Sequence, residues 1–427
     1  MIVVFIVSFF VLMIVNMPIA FSMLISSCIY IIGNDIPLMI VVQRITVGIG
    51  DSFPLLAVPF FILAGSIMNS GGITDRIFSF ADRIVGHITG GLGHANILAS
   101  IIFAGMSGTA IADAGGLGAI ELKAMKDAGY DEDFSLAITG ASSTIGPIIP
   151  PSIPAVIFGV TGGVSIGRLF VAGVIPGLLM AFVMGCVVYY YSKKRNYPVK
   201  PRASWLEMWM SFKRSFFALV TPLIILVSIV IGVITPSEAA IIAVVYSLIL
   251  SICYGSFGPS DIRRVLRETI MGTSGVFFIV ACASIFGWIL ASEQIPQKMS
   301  ALFIDNISSR WAVLIVINIL LLIVGTFMDT TAAIIILVPV LMPVIKTFGI
   351  DPVHFGLVMI LNLMIGLLTP PVGLVLYVLS GISNVPFEKV ARAVVPYVIV
   401  LIVLLMLLTF FPEVSLFLPN LVFGDAV

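Results

Sequence analysis

The stretch that decides the fold runs from Ser142 to Phe158 and reads SSTIGPIIPPSIPAVIF. It places a glycine and several prolines inside a segment that is otherwise apolar. Proline lacks an N–H donor and clashes with the preceding turn, so a helix cannot continue unbroken through such a run. Because the segment is too apolar to lie in water, we predict a helix that is broken inside a membrane at Pro150 and Pro151.

The same break returns 220 residues later as IGLLTPPVGLVLY, which starts at Ile365 and places its helix break at Pro370 and Pro371. Other residues recur at this offset without a gap. The recurring pairs are Gly105 with Gly325, Lys126 with Lys346, Gly129 with Gly349, Asp131 with Asp351, Gly146 with Gly366, and Pro176 with Pro396. A constant offset of this extent predicts two structural repeats.

The composition predicts a membrane protein. Hydrophobic residues make up 60% of the 427 residues and charged residues 10%, and the mean hydropathy is +1.21. Since a bilayer core of about 30 Å needs about 20 apolar residues per helix, the chain has room for roughly ten spans and for no sizeable soluble domain. The net charge is zero, which gives no indication of a nucleic-acid partner.

Each half is predicted to contain five spans, one hairpin that enters and leaves on the same side, and one broken helix. Non-helical backbone at membrane depth is tolerated only where protein or a wet cavity shields it, which favours hairpins over single spans at the small-residue clusters. The first repeat, 1–192, comprises scaffold helices 1–70, an interfacial helix 74–90, a hairpin 95–126, a broken helix 133–160 and a span 169–191. A cytoplasmic linker or interfacial helix, 193–214, precedes the second repeat. That repeat, 215–427, comprises scaffold helices 215–254, a span 271–291, a hairpin 312–346, a broken helix 353–380 and a last span 394–418.

An odd number of spans in each half predicts that the two repeats are inverted. On this layout, 16 of the 21 Lys and Arg residues lie on one side of the membrane, which the positive-inside rule assigns to the cytoplasm. Both termini then face outward. Residues 1–15 are short for a span, and fusing them with the next stretch would instead place the N-terminus in the cytoplasm.

The broken helices and hairpin tips predict a site for ions and anions. A helix broken at mid-membrane exposes unpaired N–H groups on one fragment and C=O groups on the other, which suit an anion and a small cation such as sodium. For any single hydroxyl, bonding back to its own helix is an equally open alternative. The candidate residues of the first half are Ser107, Gly108, Thr109, Asp113, Ser142, Ser143, Thr144 and Gly146. Those of the second half are Gly325, Thr326, Asp329, Thr330, Asn362, Thr369 and Pro370.

Asp113 and Asp329 are the acids placed deepest in the apolar hairpins. A charge at that depth costs about 3 kcal/mol on insertion scales, so such acids are functional by default. The alternative is that each residue caps the returning helix of its hairpin. No Lys or Arg lies near the tips, so a carboxylate substrate would be held by N–H groups and hydroxyls.

Two outward turns are candidates for contact with another protein, one near Ser165 and one at Glu238. Glu238 lies three residues after Thr235, with Pro236 between them. This spacing also predicts a capping box, in which Glu238 serves the helix itself.

With both hairpins and both Pro-Pro breaks in view, the chain resembles the large membrane subunit of tripartite ATP-independent periplasmic (TRAP) transporters over essentially its full length. The resemblance implies an elevator mechanism, in which a transport domain of hairpins and broken helices moves against a scaffold. It also implies a bacterial inner-membrane carrier without a cofactor, driven by sodium at the hairpin tips, with an organic acid as substrate. The implied partners are a small four-helix membrane subunit and a periplasmic substrate-binding protein. Overall similarity favours the sialic-acid branch over the C4-dicarboxylate branch.

Two readings from other classes remain open at this stage. A cation symporter or antiporter that needs no binding protein could share the same plan. An intramembrane enzyme or a structural scaffold is the other, but no catalytic pair is found, and the chain has no P-loop, GxSxG or HExxH motif.

Overall fold

The chain is helical throughout the residues that the computed structural model describes, which are 1–50, 53–307 and 309–424. Of residues 105–107 and 306 only the backbone is described. The helices of the first half are α1 (Ile2–Ile14), α2 (Ile19–Gly33), α3 (Met39–Gly50), α4 (Ala57–Ser70, preceded by a 3-10 turn at Phe53–Leu56), α5 (Ile73–Val85), α6 (Gly91–Ser107), α7 (Ala110–Gly115), α8 (Leu117–Asp127), α9 (Glu132–Ser143), α10 (Ile153–Gly162) and α11 (Ile166–Arg195). Those of the second half are α12 (Trp205–Val230), α13 (Pro236–Cys253), α14 (Pro259–Ser292), α15 (Ile295–Asn306), α16 (Arg310–Phe327), α17 (Thr330–Thr347), α18 (Pro352–Gly366), α19 (Leu374–Ser383), α20 (Phe387–Phe410) and α21 (Glu413–Phe423).

Eight of the described helical segments are long and apolar enough to cross a bilayer. They are Phe53–Ser70 and the helices α11, α12, α13, α14, α16, α17 and α20. A further set of shorter apolar helices includes α10, α18 and α19, which are three of the four helices that flank the breaks. The chain is therefore a multi-pass membrane protein.

Both predicted breaks interrupt helices at the Pro-Pro pairs. Residues 144–152 separate α9 from α10, and residues 367–373 separate α18 from α19. The Pro150–Pro151 and Pro370–Pro371 peptide bonds are both cis. The helices that lead into the breaks form the centre of the core, because α9 is buried from Phe134 to Ser143 and α18 from Val353 to Gly366.

The two hairpins differ in their returning arms. In the first hairpin, α6 leads to Gly108 and Thr109, and the returning arm is divided into α7 and α8 at Gly116. In the second hairpin, α16 and α17 are each a single helix of 18 residues. Both of these arms have the length and composition of a span.

Several expected boundaries are corrected by the structure. The helix α3 was not expected. The helix α12 begins at Trp205, inside the predicted linker 193–214, because Ser204 and Glu207 form a capping box there. The helix α14 begins at Pro259, well before the predicted span 271–291, because proline is well tolerated in a first turn.

The predicted last span 394–418 is also wrong as a single element. The helix α20 ends at Phe410 and α21 starts at Glu413. Pro412 lies between them, and it disfavours the helical conformation at Phe411 and supplies no N–H donor. At the other end of the chain, α1 and α2 are separate helices joined through Pro18, so they are not fused into one span.

Candidate functional site

The tip of the first hairpin lies against the first break. The carbonyl oxygen of Gly108 accepts a hydrogen bond from the backbone N–H of Ile153 at 3.4 Å. Gly108 has a φ of +62°, and a Cβ atom there would lie 3.1 Å from the carbonyl oxygen of Pro151. The sequence therefore needs glycine at this tip, both for its backbone conformation and for the close contact.

The tip of the second hairpin lies against the second break in a related way. The carbonyl oxygen of Thr326 accepts hydrogen bonds from the N–H groups of Val372 at 3.2 Å and Gly373 at 3.4 Å. A Cβ atom on Gly366 would lie only 2.5 Å from the carbonyl carbon of Gly325. The two glycines allow the backbones of α16 and α18 to meet directly.

Polar side chains cap several of the helices that start at these tips and breaks. Thr109 accepts from the N–H of Ala112 at 3.2 Å, and Ser152 accepts from the N–H of Ala155 at 3.1 Å. Asp329 accepts from the N–H of Thr331 at 2.9 Å. The helix α19 starts at Gly373, which has no side chain to cap it. The N–H groups of Gly373 and Val375 at this end instead donate to the carbonyl oxygens of Thr326 and Leu367.

Most of the predicted hydroxyls bond back to their own helix, which is the alternative reading for single Ser and Thr residues. Ser143 and Thr144 donate to the carbonyls of Gly140 and Ala141 at 2.8 and 2.6 Å. Thr326 and Thr369 donate in the same manner at 2.8 Å each. A hydroxyl oxygen that donates its proton keeps its lone pairs, so these groups remain able to coordinate a cation.

A buried polar cluster joins the first hairpin to the first broken helix. The Asn96 side chain of α6 accepts from Ser142 Oγ at 2.6 Å, and its Nδ2 donates to Thr139 Oγ1 at 2.8 Å. The same Nδ2 donates to Oε2 of Glu121 at 2.7 Å. Glu121 is 1% exposed, and its Oε1 has no hydrogen-bond partner among the described residues.

Asp113 lies beside this cluster. Its side chain is 2% exposed, and neither carboxylate oxygen has a hydrogen-bond partner among the described residues. Glu121 lies in the next helix of the same arm, α8. Two buried carboxyl groups that lack a paired cation are costly in their charged form.

The two acids selected from the sequence therefore have different roles. Asp329 is the N-cap of α17, as the capping alternative predicts. Asp113 is not a cap, because Thr109 occupies that position in α7.

The second half has a simpler polar contact at the matching place. Asn362, which is 220 residues after Ser142, donates from Nδ2 to the backbone oxygen and Oδ1 of Asn318 at 3.0 and 2.9 Å. Asn318 in turn donates to Thr409 Oγ1 at 2.9 Å. Each half thus ties its hairpin to its broken helix through a buried asparagine.

The remaining predicted site residues divide by exposure. Gly146, Pro150 and Pro151 are buried, whereas Pro370 and Pro371 are exposed. Thr330 is buried, and its hydroxyl has no partner among the described residues. The side chain of Ser107 lies outside the part of the chain that the structure describes.

Comparison with known proteins identifies the family. Residues 6–414 match the family model of the tripartite ATP-independent periplasmic transporter, DctM component. The chain belongs to this family. The TRAP large components are transporter permease subunits, so the chain is a transport protein and not an enzyme.

Several named TRAP proteins are similar over nearly the whole chain. The sialic acid TRAP transporter large permease protein SiaM of Vibrio cholerae serotype O1 is 46% identical, with 97% of each chain covered. The sialic acid TRAP transporter permease protein SiaT of Haemophilus influenzae is 42% identical over 96% of this chain and 67% of its own length. The C4-dicarboxylate TRAP transporter large permease protein DctM of Pseudomonas aeruginosa is 40% identical, with 87% of each chain covered.

A solved structure supports the transporter fold. The YdaH transporter of Alcanivorax borkumensis superimposes with a TM-score of 0.63, with 88% of each chain covered. Because only 14% of residues are identical, this likeness concerns the fold alone.

The two residues predicted to contact a binding protein have local roles in this TRAP component. Glu238 and Thr235 form the capping box, with Oε2 of Glu238 accepting from the N–H of Thr235 at 2.7 Å. Ser165 is the N-cap of α11 and accepts from the N–H of Arg168 at 3.3 Å.

Sequence reasoning missed Glu121, Asn96 and Asn318 as members of the buried polar clusters. A signal for Glu121 was present, since it lies four residues after Leu117 and four before Met125, and both of these are fully buried. An acid in the apolar stripe of a helix points into the core. Asn96 and Asn318 gave no such signal, because their partners are distant in sequence.

Proposed function

We propose that this chain is the carrier component of a sodium-coupled uptake system for an organic acid. The observation that carries the proposal is the pair of contacts between a hairpin tip and a helix break, Gly108 with Ile153 and Thr326 with Val372 and Gly373. Each contact brings a hairpin tip with hydroxyl-bearing residues against the end of an interrupted helix. Such ends can hold a carboxylate and a cation at membrane depth.

The proposed sodium and substrate site consists of the candidate residues at these two junctions. Backbone carbonyls, hydroxyls and the amides of the buried asparagines supply the oxygen ligands that a hard cation prefers. The sequences of the tips and breaks contain no Lys or Arg. The anion would be held by N–H groups and hydroxyls at the tips and breaks.

Sialic acid is the first candidate substrate for this chain, because of the names of its relatives. Two of the similar permeases are named for sialic acid, including the relative with 46% identity. A C4-dicarboxylate is the second candidate, since the Pseudomonas aeruginosa relative named for it is 40% identical.

We further propose an elevator mechanism with inverted repeats. The buried helices α9 and α18, with their hairpins, would form the transport domain that moves against a scaffold. The carrier would lie in the bacterial inner membrane with both termini on the periplasmic side. It would act with a small four-helix membrane subunit and a periplasmic substrate-binding protein, as the family membership suggests.

Reconstitution tests the proposal. Proteoliposomes containing the chain, its small subunit and its binding protein should accumulate labelled sialic acid when sodium is higher outside. Accumulation that does not depend on the sodium gradient would contradict sodium coupling. Equal accumulation without the binding protein would favour an independent symporter, and uptake of a labelled C4-dicarboxylate in place of sialic acid would reassign the substrate.

A matched pair of variants locates the site. Asn362→Ala removes a buried amide beside the second break and should raise the sodium concentration needed for half-maximal uptake at least tenfold. Asn34→Ala removes the same group at an exposed position in the turn after α2 and should leave that concentration unchanged. The same sodium dependence in both variants would argue against an ion site at Asn362.

A further inference from the structure

A second polar cavity lies between α5 and the start of α12. Its volume is about 650 Å³. Three arginines, Arg76, Arg83 and Arg214, line it together with the hydroxyl-bearing residues Ser79, Ser211 and Ser256. Arginine and serine side chains in one cavity are typical of a site for a phosphate group.

Arg76 is held in place at the wall of the cavity. The guanidinium carbon of Arg76 lies 3.8 Å from the centre of the Tyr254 ring. The backbone oxygen of Arg76 accepts a hydrogen bond from Ser215 Oγ at 3.0 Å, which ties α5 to α12. Among the described residues, Arg76 has no carboxylate within ion-pairing distance, so its charge is available to a ligand.

The acidic residues of the cavity do not cancel its positive charge. Asp75 and Glu207 also line it, which leaves one net positive charge from three arginines and two acids. Glu207 is engaged elsewhere, because its Oε2 accepts from the N–H of Ser204 at 2.8 Å. Its Oε1 is 3.6 Å from Arg83 with both side chains about half exposed, and such surface pairs contribute little.

The position of the cavity along α12 matches the lipid headgroup region. A helix of 26 residues is about 39 Å long, whereas the hydrocarbon core is about 30 Å thick. The first turns of α12 therefore extend beyond the core. They expose Trp205, Trp209 and Phe216 on the face of α12 that points away from the cavity, and aromatic side chains of this kind favour the membrane interface.

We propose that this cavity binds the headgroup of an anionic phospholipid. The arginines and serines would hold the headgroup phosphate. The depth of the cavity at the membrane interface favours a lipid over a soluble phosphate compound. Basic pockets between helices at the membrane surface commonly bind such headgroups.

The bound lipid would add a bridge between two elements that already pack together through the hydrogen bond from Ser215 to Arg76. The amphipathic helix α5 has Arg76 and Arg83, while Arg214 belongs to α12. A headgroup that contacts both helices would hold α5 against α12 at the membrane surface.

The test is a lipid titration of the purified full-length chain in detergent, followed by native mass spectrometry. Phosphatidylglycerol is the probe, phosphatidylcholine is the lipid without net charge, and sn-glycerol 3-phosphate is the soluble probe. Arg83→Gln/Arg214→Gln should weaken phosphatidylglycerol binding roughly thirtyfold, because each arginine near an anionic lipid contributes about a factor of five.

Arg263→Gln/Arg267→Gln is the matched control. It removes two exposed arginines from the start of α14, which do not line the cavity, and it should change binding less than twofold. Ser211→Phe fills the cavity while keeping every charge and should also weaken binding. Thermal melting of each variant verifies that it is folded.

Four results would overturn the proposal. Unchanged binding in the Arg83/Arg214 variant would exclude the cavity. An equal loss in both double variants would indicate general attraction to surface charge. Equal affinity for phosphatidylcholine would show that the headgroup charge is not recognised, and displacement of the lipid by equimolar sn-glycerol 3-phosphate would assign the site to a soluble ligand.

Discussion

The two hairpin and break pairs share a backbone plan but differ in charge and exposure. The first pair contains the buried acids Asp113 and Glu121, whereas the residues 220 positions later are Ala333 and Leu341. The first Pro-Pro pair is buried and the second is exposed. The contact between hairpin tip and helix break is therefore repeated, while the side chains around it differ between the two halves.

A glycine lets α11 cover the first break closely. A Cβ atom on Gly173 of α11 would lie 2.1 Å from the carbonyl oxygen of Ile148, so α11 covers the first break closely. The residue 220 positions later is Ala393 of α20. At that position α20 therefore has a side chain where α11 has none.

The largest effect should come from adding a side chain at Gly173, where α11 covers the first break. Gly173→Val places side-chain atoms where the carbonyl of Ile148 lies and should destabilise the protein by about 3 kcal/mol or more. The measurement is thermal melting in detergent. Gly381→Val is the control, because a Cβ atom there meets nothing within 4 Å, and equal melting of the two variants would contradict the close packing.

The difference in charge can be tested by giving the first half the residue of the second. Glu121→Leu should lower sodium-driven uptake at least tenfold while the protein melts at the same or a higher temperature. Replacing a buried charge by an apolar group of similar size is often neutral or stabilising. Glu121→Gln keeps the shape and should lower uptake as well, and full uptake in either variant would show that the carboxylate is not needed for transport.

The matching asparagine contacts provide a third, smaller test. Asn362→Ser gives the second half the shorter polar side chain of Ser142 and removes the hydrogen bonds to Asn318. The expected loss of stability is about 1–2 kcal/mol, measured by thermal melting. Melting within the error of the parent protein would mean that serine restores the contact through a shift of α18.

The smallest effect is expected outside the two pairs, at the capping box of α13. Thr235→Ala removes the cap and should cost about 1 kcal/mol of stability without changing uptake at saturating binding protein. Glu238→Gln should cost less still. An increased KM for the loaded binding protein in Glu238→Gln, with unchanged melting, would instead assign this residue to the docking surface.

Much of the helical layout could be predicted because its signals are local. Apolar runs of sufficient length and the Pro-Pro pairs act through the backbone next to them, and both breaks are present in the structure. The early start of α14 was missed because its polar first turns resemble a linker in composition. For 193–214 a helix was one of the alternatives, but not one that runs on without a break into the next span. The end of α20 was missed because a single proline, Pro412, decides it.

The amino-acid sequence by itself determined that the chain is a membrane protein with two matching helix breaks, since hydropathy and proline geometry need no distant partner. Only the tertiary structure decided which side chains meet. Asn96 joins Glu121, Thr139 and Ser142 across three helices, and Gly366 reaches Gly325 from another element. These contacts depend on how helices far apart in the chain pack together, and that packing is not encoded in any one local stretch.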